Sequence, residues 1–85
     1  MASRVGVISI IVENCDSVEE LNAILHKYGE YIVGRMGIPY RQRGISVISV
    51  AVDAPQDVIS TLSGKIGNLK GVSAKTVLSN VISDE

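Results

Sequence analysis

The sequence predicts an α+β fold of order βαββαβ, a four-stranded antiparallel sheet with two helices on one of its faces. Three observations carry that prediction. Two stretches, Val5–Val12 and Ile45–Val52, are rich in Val and Ile and read as strands. Each is followed by a segment whose apolar residues recur at helical spacing, Val18–Tyr28 after the first and Val58–Leu69 after the second. Two further strand-like segments, Tyr31–Pro39 and Val72–Leu78, follow those helical segments.

Strand one is expected over Val5–Glu13. Its even positions are Gly6, Ile8, Ile10 and Val12, and its odd positions are Val5, Val7, Ser9 and Ile11. Asp16 or Ser17 then opens a helix, and Ser17-Val18-Glu19-Glu20 has the spacing of a capping box. Val18, Leu21, Leu25 and Tyr28, with Ile24 beside them, form its apolar stripe, and Gly29 is the expected C-terminal cap. Strand two, Tyr31–Pro39, is interrupted by Gly34 and Gly37, and Pro39 marks its end or an edge position.

Gln42-Arg43-Gly44 makes the turn into strand three, Ile45–Asp53. Its even set is Ser46, Ile48, Val50 and Val52, and its odd set is Ile45, Val47, Ser49 and Ala51. Pro55 suits the first turn of a second helix, with Asp53 and Gln56 spaced to help cap it. Val58, Ile59, Leu62, Ile66 and Leu69 line one face of that helix, and Gly71 ends it. Strand four, Val72–Leu78, leads into a polar tail ending Ser83-Asp84-Glu85. This order is the ferredoxin-like split βαβ arrangement, and right-handed crossovers place both helices on one face with strands one and three central.

Side chains alternate across a strand, so both central strands show apolar groups on both faces of the sheet. A chain of 85 residues makes one domain, residues 1–85, with helices for only one of those faces. The other face is therefore expected to be covered by a second copy, in a dimer or tetramer, or by a protein partner. Val7, Ile11, Val47 and Ala51 are its expected interface residues. Standard alternation puts Arg35 and Lys75 of the edge strands on that same face, giving an apolar centre with charged margins.

Composition narrows the function classes. The chain is 46% hydrophobic and 20% charged with a formal net charge of −1, so no global field draws it to nucleic acid or a membrane. The single Cys15 cannot form an internal disulfide, which fits a reducing cytoplasm. Met1-Ala2-Ser3-Arg4 lacks the apolar core of a signal peptide, and no apolar run approaches the roughly 20 residues of a membrane span. The expectation is a soluble cytoplasmic protein without direct DNA binding.

Two segments are candidate ligand sites. Ser63-Gly64-Lys65-Ile66-Gly67 reads either as an anion site on close-approaching backbone N–H groups or as close packing of helix two; packing is the preferred reading. It lacks the P-loop spacing, and an RNA-type Gly-x-x-Gly clamp sits between two helices rather than within one. Gly34–Arg43 contains Arg35, Arg41 and Arg43, which could fork a carboxylate or phosphate or serve as charges that block pairing at an edge. Cys15 and His26 are too few for a metal site, so no metal or cofactor is expected. Asp16, Glu19, Glu20, Asp53 and Asp57 cluster at helix starts, where capping explains them, and no catalytic constellation is recognisable.

The run Leu21–Val77 resembles a known family. Gly34-Arg35-Met36-Gly37-Ile38-Pro39, then a Val/Ile strand, then Leu62-Ser63-Gly64-Lys65-Ile66-Gly67 and Gly71-Val72-x-x-Lys75-Thr76-Val77 are similar to the small stand-alone ACT-like proteins called putative iron-only hydrogenase system regulators. The resemblance implies an ACT-like ferredoxin fold, oligomerisation through sheets and a regulatory role. Related ACT domains bind amino acids at the first strand-to-helix turn, often using a glycine; here that turn reads Asn14-Cys15-Asp16-Ser17. The similar domain of nickel-responsive repressors uses a His and Cys set that is absent here, and a separate DNA-binding segment for which this chain has no room. The expected function is a non-catalytic regulatory, ligand-sensing or protein-interaction module acting as a homo-oligomer. A small ferredoxin-like enzyme with a cleft beneath the sheet and an RNA-binding module are the alternatives.

Overall fold

The computed structural model describes residues 2–83. Six main elements follow in the expected order: β1 (Ser3–Val12), α1 (Val18–Lys27), β2 (Ile32–Tyr40), β3 (Ile45–Ala54), α2 (Gln56–Gly67) and β4 (Val72–Ser83). Their sheet has the order β2-β3-β1-β4 with every pair antiparallel, so β1 and β3 are central as expected. Pro39 lies on the edge strand β2, where its missing N–H costs no ladder bond to a second neighbour.

The core forms from the even positions of the central strands. Ile8, Ile10 and Val12 of β1 pack with Ile48, Val50 and Val52 of β3, under Leu21 and Leu25 of α1 and Ile59, Leu62 and Ile66 of α2. Val18, Ile24 and Tyr28 flank the α1 stripe and Val58 and Leu69 the α2 stripe, each partly buried. Both helices therefore cover the same face, and the helical periodicity read from the sequence is the periodicity that is buried.

The helix ends differ from expectation. The capping box does not form: Ser17 holds the N-cap position of α1 without a side-chain cap bond. Its hydroxyl donates instead to the Lys70 carbonyl at 2.6 Å, and at 4% exposure it is the buried polar residue among those described. A single turn, Cys15–Ser17, precedes α1, and there Asn14 Oδ1 accepts from the Asp16 N–H. Gly29 opens a second such turn, Gly29–Tyr31, rather than adopting a left-handed cap. Pro55 sits one residue before α2, and its carbonyl accepts from Val58 and Ile59; neither Asp53 nor Gln56 caps the helix.

Two departures alter the sheet. β4 runs to Ser83, longer than the expected Val72–Leu78, because Ser79–Ser83 continue along β1 beyond a register shift between Arg4 and Gly6. Of the expected polar tail, Asp84 and Glu85 lie outside the described residues. In β2 a bulge at Val33 separates the pairs Ile32↔Val52 and Gly34↔Ala51. An extra residue in one strand reverses the facing of everything after it. Arg35 consequently lies beside buried Val50 on the helix face, so the expectation that it shares a face with Val7 and Val47 is corrected.

Candidate functional site on the uncovered sheet face

The face opposite the helices is built in rows across the four strands. One row holds Gly34, Ala51, Val7 and Val77, and the next Met36, Ser49, Ser9 and Lys75. The third holds Ile38, Val47, Ile11 and Ser73. Tyr40 beside Ile45 prolongs the apolar surface at one end, and Asp53 beside Val5 closes the other. The four residues expected at an interface thus form two direct cross-strand pairs, Val7 with Ala51 and Ile11 with Val47.

Charge sits on only one margin. Lys75 lies on this face, as expected, while the β2 margin carries Met36, Ile38 and Tyr40, each well exposed. Sequence reasoning missed these three. Their alternation with Arg35, Gly37 and Pro39 was the available signal; the bulge that turns the apolar set outward had none.

The candidate arginines do not converge. Arg35 donates from Nη2 to Asn22 Oδ1 of α1 at 3.2 Å. Arg41 and Arg43 lie in the turn between β2 and β3, where Gly44 takes a φ of 65°. Six residues of extended chain, about 20 Å, separate Arg35 from Arg41. Ser63, Gly64 and Gly67 belong to α2, which packs mainly against β4, and Ser63 Oγ accepts from the Thr76 hydroxyl at 3.0 Å.

The close-packing expectation for the two helical glycines is overturned. Both are exposed, and a Cβ at either would meet nothing within 4 Å. Being within one helix, they also lack the loop setting of an RNA clamp. Gly71 is the opposite case: its φ is 70°, and a Cβ there would lie 2.6 Å from the Asn14 Cβ.

Around Gly71 the first strand-to-helix turn is tied down. The Glu13 N–H donates to the Gly71 carbonyl at 2.7 Å, one residue from the Ser17–Lys70 bond. The turn that carries ligands in ACT domains is here bonded across to the α2–β4 connection. Cys15 is exposed on that turn and His26 is exposed on α1. Among the described residues no three His, Cys, Asp or Glu side chains group as a metal site. An open depression of about 90 Å³ at the start of α2 is lined by Ala2, Ser3, Arg4, Gln56 and Ile82, away from the open face.

Among the described residues no helix is long and apolar enough to cross a membrane. No curated protein matches the chain. Of the solved structures 30 chains match. The uncharacterized protein TM1266 from Thermotoga maritima is 32% identical with a TM-score of 0.86, over 89% of this chain and 96% of that one. A formyltetrahydrofolate deformylase from Pseudomonas putida KT2440 has a TM-score of 0.66 at 13% identity, over 91% of this chain and 30% of the enzyme's; this likeness concerns the fold alone. The TM1266-like family model, described as "Iron-only hydrogenase system regulator, putative", matches residues 4–76. With that match over most of its length, and a ferredoxin-like sheet in the same arrangement as the Thermotoga protein, the chain belongs to the TM1266-like family of iron-only hydrogenase system regulators.

Proposed function

We propose that this protein is a non-catalytic regulatory module that works as a homo-oligomer, with the uncovered sheet face as the contact between copies. The observation that supports this reading is the exposed apolar surface formed by two rows, Val7 with Ala51 and Ile11 with Val47, which Met36 joins along the β2 margin and Ile38 and Tyr40 prolong. Exposed apolar patches of this extent mark contact surfaces on soluble proteins.

Size and charge fit a second copy. Four strands about 4.8 Å apart and about ten residues long present a face of roughly 600 Å². Two such faces together bury about 1,200 Å², the lower bound of stable protein interfaces. A net charge of −1 per chain adds little repulsion between copies. Regulation would then pass through a bound small molecule or a protein partner of the assembly.

Sedimentation of the full chain at micromolar concentration tests the reading. A dimer or larger species is expected; a stable, soluble monomer across that range would discard the open face as a contact between copies.

A further inference from the structure

The middle row of the open face is polar where the rows on either side are apolar. Lys75 stands beside Ser9, Ser9 beside Ser49 and Ser49 beside Met36. Among the described residues, neither serine hydroxyl nor the lysine ammonium has a hydrogen-bond partner. Facing cross-strand neighbours have Cβ atoms about 5 Å apart, so the long lysine stem can carry its ammonium over the Ser9 hydroxyl, with the Ser49 hydroxyl one strand further along the row. No carboxylate shares the row. Asp53 on β3 and Glu13 just past β1 each stand four residues from it, about 13 Å along a strand.

We propose that this row binds a small oxyanion, a carboxylate or a phosphate, between two copies of the chain. The inference rests on the face-to-face assembly proposed above. Covering the face removes one ammonium and two hydroxyls per copy from water, and such groups are strongly disfavoured without partners. All three are donors, and an oxyanion accepts from each of them. Its charge also offsets the ammonium, which the chain's own acids on this face are too distant to do. The partner copy contributes the same row, so the site is complete only in the assembly. Assembly and anion occupancy are then linked, which gives the module a means of sensing.

The test is sedimentation of the full chain and of Lys75→Met in potassium chloride, phosphate and acetate at matched ionic strength. At an anion concentration about nine times its dissociation constant, the association constant of the wild type is expected to rise about tenfold. Response to phosphate alone or to acetate alone identifies the class of oxyanion. Lys75→Met is expected to lose the response, and in chloride to associate at least as tightly as the wild type, having no unmatched ammonium to bury. An oligomer indifferent to both anions, or a Lys75→Met protein that still responds, overturns the inference while leaving the assembly standing. Equal weakening by Lys75→Met and Asp53→Asn in chloride also overturns it, because the ammonium then pairs with the partner's Asp53. A monomer under every condition overturns the assembly itself.

Discussion

The two faces of this sheet are made from nearly the same residues and have opposite fates. Ile8 and Ile48 on the helix side are 0% and 8% exposed, while their sequence neighbours Val7 and Val47 on the other side are 38% and 39% exposed. Strand propensity does not distinguish these residues, because Val and Ile favour any half-buried pleated surface. The difference comes from what lies on top. Two amphipathic helices supply one layer of cover, and the described residues hold no third α-helix for the other face. An apolar face on a covered layer reports folding; the same face without a layer is the one the proposed association would use.

A matched pair of charges breaks that comparison most sharply. Val50→Asp puts a carboxylate among Ile, Leu and Val side chains, at a cost of at least several kcal/mol. Small domains have only about 5–15 kcal/mol in total, so this variant is expected to be unfolded by circular dichroism. Val47→Asp places the same charge on the open face, where the lone chain leaves it in water. It is expected to keep the wild-type far-ultraviolet spectrum and to sediment as a monomer. If Val47→Asp remained assembled, the open face would not be the contact. If it unfolded as Val50→Asp does, the two faces would not differ in kind.

A pair of glycines sharpens the comparison within the helix layer. Gly71→Ala must hold a left-handed conformation, costing about 1–2 kcal/mol. Its Cβ would also overlap Asn14 at 2.6 Å, displacing the turn that Ser17 and Glu13 bind to Lys70 and Gly71. Gly64→Ala meets open space in mid-helix and is expected to stabilise by about 0.5–1 kcal/mol. Thermal or urea unfolding of the two proteins should therefore shift in opposite directions. A loss of stability in Gly64→Ala would show a contact on the outer side of α2 in the assembled protein.

The parts legible in the sequence were those governed by a period. The stripe of Leu21 and Leu25, that of Ile59, Leu62 and Ile66, and the double-sided alternation of β1 and β3 each repeat, and each is where the periods place it. That Val7, Ile11, Val47 and Ala51 share one face follows from the same alternation; the register that pairs Val7 with Ala51 and Ile11 with Val47 does not. What escaped depends on single residues meeting distant ones. Ser17 sits in a local capping pattern, yet its hydroxyl finds a carbonyl 53 residues away, and no local rule ranks that option. The bulge at Val33 is one inserted residue with no marker in the sequence, but it turns Arg35 inward and Met36, Ile38 and Tyr40 outward. It moves charge off one margin of the candidate interface and leaves that margin apolar.

That reversal gives the smallest expected effect, and one that separates the two faces at their shared border. The Arg35 guanidinium lies on the helix side, exposed, with a 3.2 Å bond to Asn22 on α1. Exposed contacts of this kind contribute little, since surface substitutions away from caps and cores usually change stability by no more than about 0.5 kcal/mol. Arg35→Ala should therefore unfold within that margin of the wild type. It should also leave the sedimentation profile unchanged, because the side chain is on the far side of the sheet from Val47 and Ile38. Met36→Asp, one residue along and on the open face, should weaken association while changing the fold as little. Were Arg35→Ala to weaken association and Met36→Asp to leave it intact, β2 would present the opposite set of side chains to the partner. The bulge at Val33 would then be absent from the assembled protein.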